Sequence, residues 1–306
     1  MKKLFLLLSI SIAFCLETLA QGCSDAGVCT IHAIKNNTIP DANRKNRNTI
    51  VAGLSFGKGE DDINYFNPYL EYTRSFGNTS ISGKLNYSAI NGRLATTSGL
   101  GDLFISLNQL FDTKKAISKS FIVGLKLPLG ASDLSDNGIK LPMPYQPSLG
   151  TIDLVAGLNF FYRNFGATAA IQQPLNSTND NEFLPSDYPS HPFIYEYLPT
   201  NEFNRKGDAL VRVSYDWNWK KNFSIRPSLL GIYHLDDDSY LNNSGARVDI
   251  YGSRGLTLNW NLFFSLGLGK ASAIELALGS PFVIRPTRPD GLTRSFVSSL
   301  EYKINF

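Results

Sequence analysis

The sequence contains few residues that could build a metal centre or a His-dependent active site. Of its 306 residues, only three are cysteine and three are histidine. After residue 20, no apolar run approaches the roughly 20 residues that a membrane-spanning helix needs. The formal net charge of +3 is too small to indicate a nucleic-acid partner. We therefore expect no metal, no cofactor and no nucleic acid.

The mean hydropathy of −0.11 does not by itself identify a soluble protein. Strands that cross a membrane alternate lipid-facing and lumen-facing side chains, so their average stays near zero while one face is apolar. The pattern along the chain must therefore decide between the two classes.

Residues 1–20 have the order of a secretory signal peptide. Lys2 and Lys3 precede an apolar run from Leu4 to Leu16, and small residues lead to Ala20. We expect export and cleavage after Ala20.

Cys23 and Cys29 are the cysteines that would remain in the exported chain. In an oxidising periplasm we expect them to form a disulfide within an N-terminal periplasmic segment, 21–48. That segment is either a plug held compact by the disulfide, which we favour, or a disordered leader. Lipidation of Cys23 is a further alternative, which Gln21 disfavours because the residues just upstream should be small or aliphatic.

The C-terminal segment alternates with a period of two, which is typical of a β-strand. It ends on Phe306, an ending that resembles the terminal strand signal by which Gram-negative outer-membrane barrels are recognised for insertion. This resemblance implies the barrel assembly machinery as a partner. One face carries Phe296, Ser298, Leu300, Tyr302, Ile304 and Phe306, and the other carries Val297, Ser299, Glu301, Lys303 and Asn305.

The same alternation recurs upstream, with one face suited to lipid and the other to a polar lumen. In lipid, an open sheet edge would leave backbone groups unsatisfied, so the strands should close on themselves. We therefore predict an all-β fold, a transmembrane antiparallel up-and-down β-barrel of about twelve strands over 49–306, in the outer membrane of a Gram-negative bacterium and surrounded by its lipid. The predicted strands are 49–57, 65–76, 79–90, 98–111, 119–129, 150–162, 165–174, 206–218, 222–235, 246–267, 271–283 and 294–306.

The segment 246–267 is long for one span, but we keep it whole because its apolar residues hold one parity and a split would give an odd count of strands. Connections alternate between tight turns, such as Gly77-Asn78, and long polar segments at 130–149 and 176–205. Short periplasmic turns and long outer loops are typical of outer-membrane barrels.

Charged residues of both signs fall on the predicted lumen face. They could form a polar pathway whose field selects solutes, or mutually neutralising pairs that fill a narrow barrel. For any single residue we favour the second interpretation. The candidates are Glu71, Lys84, Asp102, Lys126, Asp153, Arg212, Asp216, Arg226, Glu301 and Lys303, together with Asp249 and Glu275.

Aromatic residues near strand ends could form the girdles that lie at the two membrane interfaces. Ordinary packing is the alternative, and we favour girdles because a membrane barrel needs two. The candidates are Tyr65, Tyr72, Trp217, Trp219, Tyr233, Trp260 and Phe306.

An outer-membrane hydrolase of the phospholipase type is the enzymatic alternative. It would need a serine nucleophile and a histidine oriented by an asparagine. His234 lies near the end of its predicted strand, but the motifs of that class are missing around it. We interpret His234 as a chance neighbour of Asp236, Asp237 and Asp238. We interpret that acidic run as a solvated loop tip rather than a cation site.

Four segments together resemble a family of outer-membrane proteins that are labelled as components of the phenol meta-cleavage pathway or as transporters. The Cys-bounded segment resembles versions found in Bacteroidetes. The resemblance covers most of the exported chain and implies a barrel related in style to channels for fatty acids and aromatic hydrocarbons. It supplies no substrate and no catalytic residue. The segments are Cys23 to Cys29, Ser98-Gly99-Leu100-Gly101-Asp102-Leu103, Gly124-Leu125-Lys126-Leu127-Pro128-Leu129-Gly130 and Pro144-Tyr145-Gln146-Pro147-Ser148-Leu149-Gly150.

We therefore expect a non-enzymatic channel or transporter for a small hydrophobic or aromatic solute. Wide aqueous lumens begin at about sixteen strands, so a barrel of this size should be narrow or filled. Pro128, Pro174 and Pro227 could open its wall, since proline cannot donate to the ladder, or could mark simple bulges. The other alternative is a structural or adhesive barrel that displays its long loops.

Overall fold

The structure is a computed structural model that describes residues 46–111, 117–291 and 294–306. The predicted signal peptide, nearly all of the predicted segment 21–48 and the expected Cys23–Cys29 disulfide lie outside these residues. In the described part of the chain, no helix is long and apolar enough to cross a membrane.

Twelve strands form one closed antiparallel barrel, as predicted from the alternation. Each strand pairs with its neighbours in sequence, and the first strand pairs with the last from Thr49–Asn305 to Lys58–Phe296 without a register shift. The strands are β1 (Asn46–Lys58), β2 (Asn64–Phe76), β3 (Thr79–Asn91), β4 (Thr96–Phe111), β5 (Ile117–Pro128), β6 (Asp153–Tyr162), β7 (Phe165–Pro174), β8 (Asp208–Tyr215, continued by Trp217–Lys220), β9 (Phe223–His234), β10 (Gly255–Gly267), β11 (Ser272–Val283) and β12 (Phe296–Asn305).

The prediction of one strand over 246–267 is wrong. β10 begins at Gly255, and Arg247–Asp249 pairs instead with Ser239–Leu241 in a separate hairpin. The backbone turns between the two pieces, where Gly252 has a φ of +85°, a conformation that favours glycine. The barrel count stays even because the extra strand belongs to the hairpin. Asp249 is exposed in that hairpin and is not a lumen residue.

The three prolines do not open the wall. Pro128 is paired with Asp102, Pro174 with Asp153, and Pro227 with Leu262. The ladders therefore reach or pass every one of these positions, and the hypothesis of a wall opening there is not supported.

The outward face of the barrel is apolar. Leu70, Ile171 and Val211 are each more than half exposed, at 57%, 55% and 56%. Such a surface would be costly in water but suits hydrocarbon. At one end, Trp217 and Trp219 stack with ring centroids 5.7 Å apart, as expected for a girdle. The prediction that Tyr65 joins a girdle is wrong, because its side chain is buried.

The two ends of the barrel differ. At the turn end, Gly77-Asn78 joins β2 to β3, and Asn48 and Phe306 exchange backbone hydrogen bonds of 2.9 and 3.0 Å. At the loop end, four long connections leave the strands. We call their described residues the loop cap: 129–152, 175–207, 235–254 and 284–291.

Candidate functional site

The loop cap is packed across the mouth of the barrel. Tyr145 and Tyr197, from different loops, contact each other with hydroxyl oxygens 3.0 Å apart. They share a buried cluster with Ile63 and Ile90. Ile63 directly precedes β2 and Ile90 is near the end of β3, so both lie at the loop end of the barrel. β2 lies across the barrel from β7 and β8, which flank the loop of Tyr197. Burial raises the pKa of both tyrosines, so their hydroxyl groups stay neutral.

Three of the segments that carry the family resemblance meet where the loop 129–152 enters the barrel. Ser148 donates a hydrogen bond to Asp102, and Thr97 Oγ1 donates to the Tyr145 carbonyl oxygen at 2.6 Å. A Cβ atom added to Gly130 would lie 1.7 Å from the Leu100 carbonyl oxygen. These segments therefore fasten the loop to β4.

Replacing Gly130 with alanine should weaken this attachment, because the new Cβ would meet backbone that cannot rotate away. We expect a loss of roughly 1–3 kcal/mol in the free energy of unfolding, as for other overpacked sites. Urea unfolding in detergent micelles measures it. Gly83→Ala is the matched control, because a Cβ at Gly83 meets nothing within 4 Å. Equal stability of the two variants would contradict the attachment.

Lys126 is the centre of a buried charge cluster on the inner wall. Its Nζ atom lies 3.0 Å from Asp153 Oδ2, 3.4 Å from Asp102 Oδ2 and 3.2 Å from Thr151 Oγ1. Asp153 also accepts a hydrogen bond from Gln172. The structure therefore brings together three of the predicted lumen residues, and their charges compensate one another in part.

Apart from Asp249, the other predicted lumen residues also lie on the inner face of their strands. Arg226 Nε is 2.5 Å from Asp216 Oδ1, and Tyr69 donates a hydrogen bond of 2.5 Å to Glu301. Lys84 Nζ lies 4.0 Å from the centroid of the Tyr69 ring. Whether any of them selects solutes stays a prediction. Lys84, Asp102, Lys126, Asp153, Arg212 and Glu301 are buried, while Glu71, Asp216, Arg226, Glu275 and Lys303 are half-buried.

His234, the last residue of β9, is held between two carboxylates. Its Nδ1 atom lies 2.7 Å from Asp208 Oδ1, and its Nε2 atom lies 2.8 Å from Asp238 Oδ1. Ionised carboxylates only accept, so both contacts are hydrogen bonds when the ring is an imidazolium. Neither nitrogen is left to activate a serine, so the geometry gives the hydrolase alternative no support. The interpretation of His234 as a chance neighbour is wrong, and Asp238 is buried rather than solvated.

Two arginines extend this contact into the loops. Arg205 pairs with Asp208, and Arg285 pairs with Asp290 and lies 3.8 Å from Asp238. Burial alone would lower the pKa of Arg285, but Asp290 and Asp238 raise it above its usual value. Burial would raise the pKa of Asp290, but Arg285 and Arg205 hold it below its usual value. The mouth network consists of Arg205, Asp208, His234, Asp238, Arg285 and Asp290.

Sequence reasoning did not find the mouth network. With His234 protonated, its three cations and three carboxylates cancel, which makes the burial of so many charges tolerable. The network joins the start of β8 and the end of β9 to three loops of the cap. It therefore holds the loops over the mouth.

Two small cavities lie at the cap, each of about 50 Å³. The inner one faces the lumen and is lined by Asn86, Ser88 and Asp102 among others. The other, called the outer cavity, is lined mainly by loop residues, including Glu60 and Glu196. Each has room for only a few water molecules.

No protein-family model and no curated protein matches the sequence. The fold is similar to that of an outer membrane channel from Pseudomonas putida F1, with a TM-score of 0.58 and 12% identity over 85% of this chain and 95% of that chain. The Pseudomonas putida toluene transporter TodX gives a TM-score of 0.46 and 9% identity, covering 94% of this chain and 95% of that one. The likeness to the outer membrane channel from Pseudomonas putida F1 establishes the fold alone and assigns neither a solute nor a residue.

Proposed function

We propose that this chain is an outer-membrane channel that passes a small uncharged solute with a hydrophobic or aromatic body. The observation that carries the proposal is the closed barrel with an apolar outward face and a mouth packed with loop residues. A surface of this kind suits a membrane. A mouth of this kind suits selective passage rather than general diffusion. The fold shared with an outer membrane channel is compatible with this function.

The choice of an uncharged solute rests on the pairing of charges at the mouth. Lys126 contacts two carboxylates, and every charge of the mouth network contacts an opposite one. A pathway whose charges are compensated offers little field to attract an ion. The two cavities combine polar groups with apolar ones such as Ile90, Met143 and Leu198. The resemblance to the phenol meta-cleavage family is the reason for proposing that the solute can be aromatic.

The proposal includes export through the signal peptide 1–20, insertion through the barrel assembly machinery by the C-terminal strand, and a Gram-negative outer membrane as destination. β1 begins at the turn end, so the segment before it joins the barrel at that mouth. This supports a periplasmic position for 21–48 and the Cys23–Cys29 disulfide. The long loops then face the cell exterior.

The experiment measures solute uptake into proteoliposomes that contain the protein. Their membranes include lipopolysaccharide, because it slows the unaided entry of hydrophobic molecules. Three probes are compared: benzyl alcohol, benzoate and glucose. We expect benzyl alcohol to enter faster than it enters protein-free liposomes, and the charged or sugar probes to show no such gain. Equal gains for all three would indicate a non-selective pore, and no gain for any probe would contradict a channel.

A further inference from the structure

The two cavities at the mouth are separated by a thin wall. Three residues line both of them: Tyr65 of β2, Pro144 of the loop 129–152, and Gly291 of the last loop. The inner cavity opens toward strand residues such as Asn86, whereas the outer cavity lies among loop residues such as Glu196. The same three residues therefore stand between the outside and the lumen.

The Tyr65 hydroxyl group ties the wall together. Its oxygen lies 3.1 Å from the Pro144 carbonyl oxygen and 3.2 Å from the Gly291 carbonyl oxygen. A hydroxyl group has one hydrogen to donate, so the two carbonyls share a single donor. The Arg294 guanidinium lies over the face of the Tyr65 ring, 4.5 Å from its centroid. The shared hydrogen bond and the arginine thus hold the ring across the passage.

Pro144 and Gly291 themselves touch backbone to backbone. A Cβ atom added to Gly291 would lie 2.4 Å from Pro144 Cα, and Gly291 has a φ of +66°. Only glycine accepts both the close approach and this conformation easily. Proline and glycine carry no side chain that can swing away, so among these three residues the Tyr65 side chain is the one that can rotate.

We infer that Tyr65 is the gate and the specificity-determining residue of the pathway, an inference that rests on the proposed function. When its side chain rotates away, the two cavities join and two carbonyl oxygens lose their donor. A solute that brings its own O–H or N–H group to these oxygens replaces the lost hydrogen bond, whereas one without a donor leaves them unpaired. The structure therefore selects uncharged apolar molecules that carry a hydrogen-bond donor.

The test compares benzyl alcohol with benzyl methyl ether, which has a similar body and no donor, in the liposome assay. The wild-type chain should pass the alcohol faster than the ether. Tyr65→Phe removes the hydroxyl group and keeps the ring, and it should raise uptake of the alcohol about fivefold, the factor for one net hydrogen bond. Tyr65→Ala should raise uptake further and abolish the preference for the alcohol, because water would then reach and pair the two carbonyl oxygens whichever solute enters.

Tyr72→Phe and Tyr72→Ala are the matched controls. Tyr72 lies on the same strand, but it is 43% exposed on the outward face and its hydroxyl group lies 2.9 Å from Asn48 Oδ1. Both controls should transport like the wild type. The heat-dependent mobility shift of folded barrels in electrophoresis checks every variant. If Tyr65→Ala fails to fold, Tyr65→Phe decides.

The outcomes separate the gate from the channel. Wild-type uptake that the Tyr65 substitutions leave unchanged would overturn the gate and leave the proposed function standing. Uptake that appears only after Tyr65→Ala would contradict the proposed function and with it the gate, because the wild type would pass none of the probes. If neither the wild type nor any Tyr65 variant passes a probe, the proposed function fails and the gate falls with it.

Discussion

Replacing Lys126 with alanine should destabilise the barrel by about 3–5 kcal/mol, the cost of leaving one side of a buried ion pair without its partner. Lys126 has no exposed side-chain surface, and the carboxylates of Asp102 and Asp153 lose their cation together. The loss should also reach the loop 129–152, because Asp102 accepts a hydrogen bond from Ser148.

Urea unfolding of the refolded chain in detergent micelles measures this loss. Lys126→Met fills most of the vacated volume and should remain nearly as unstable as Lys126→Ala, which separates the charge effect from packing. Lys140→Ala is the control, because its pair with Glu182 is exposed and exposed pairs contribute little. A Lys126→Met variant as stable as the wild type would mean that the carboxylates find another partner.

The barrel could be predicted from the sequence because one physical constraint acts on every strand. A strand between lipid and lumen must alternate, and the alternation marks its length as well as its faces. The predicted strand 165–174 matches β7 at both ends, and the predicted strand 65–76 begins one residue after β2. These boundaries are accurate because the alternation stops where the chain leaves the bilayer.

The alternation led to a wrong prediction at 246–267, because it does not indicate which sheet a strand joins. Val248 lies in the hairpin with Tyr240, and Leu256 lies in the barrel, yet both keep one parity in the sequence. A period of two reports that a segment is extended with two unlike faces. It carries no information about the partner strand.

To predict contacts within the lumen, one must know the pairing register of the strands, which the alternation does not supply. Lys126 lies directly opposite Asp153 in the ladder between β5 and β6. A shift of two residues would keep both on the inner face and separate them. The sequence could therefore predict the face that these charges share, whereas their contact follows from hydrogen bonding between strands.

The mouth network was beyond sequence reasoning for a different reason. Arg205, Arg285 and Asp290 lie in loops without periodicity, so their burial left no pattern to read. His234 and Asp238 were visible as neighbours, but burial of the pair depends on the arginines that come from distant loops. The charges of the mouth network compensate one another only when the loops have come together in the folded cap.

Replacing Arg285 with methionine should open the loop cap while leaving the barrel folded. Arg285 is buried, pairs with Asp290 and donates a hydrogen bond of 2.7 Å to the Ser253 carbonyl oxygen. Its loss leaves Asp290 and Asp238 short of a cation at a cost of about 3–5 kcal/mol. These contacts join loops, so the cost falls on the closed cap rather than on the strand ladders. The open population should therefore rise on the order of a hundredfold or more.

Limited proteolysis of the folded protein in detergent measures this opening, because cleavage within 175–207 or 235–254 reports an exposed loop. Arg254→Met is the matched control, since Arg254 is an exposed arginine of the neighbouring loop 235–254 that contacts the Tyr233 hydroxyl group. It should leave the cleavage rate unchanged. If Arg285→Met is cleaved no faster than the control, the cap is held by its apolar clusters alone. If it is cleaved faster while its urea transition stays in place, closure of the mouth depends on buried charge and is separable from the stability of the barrel.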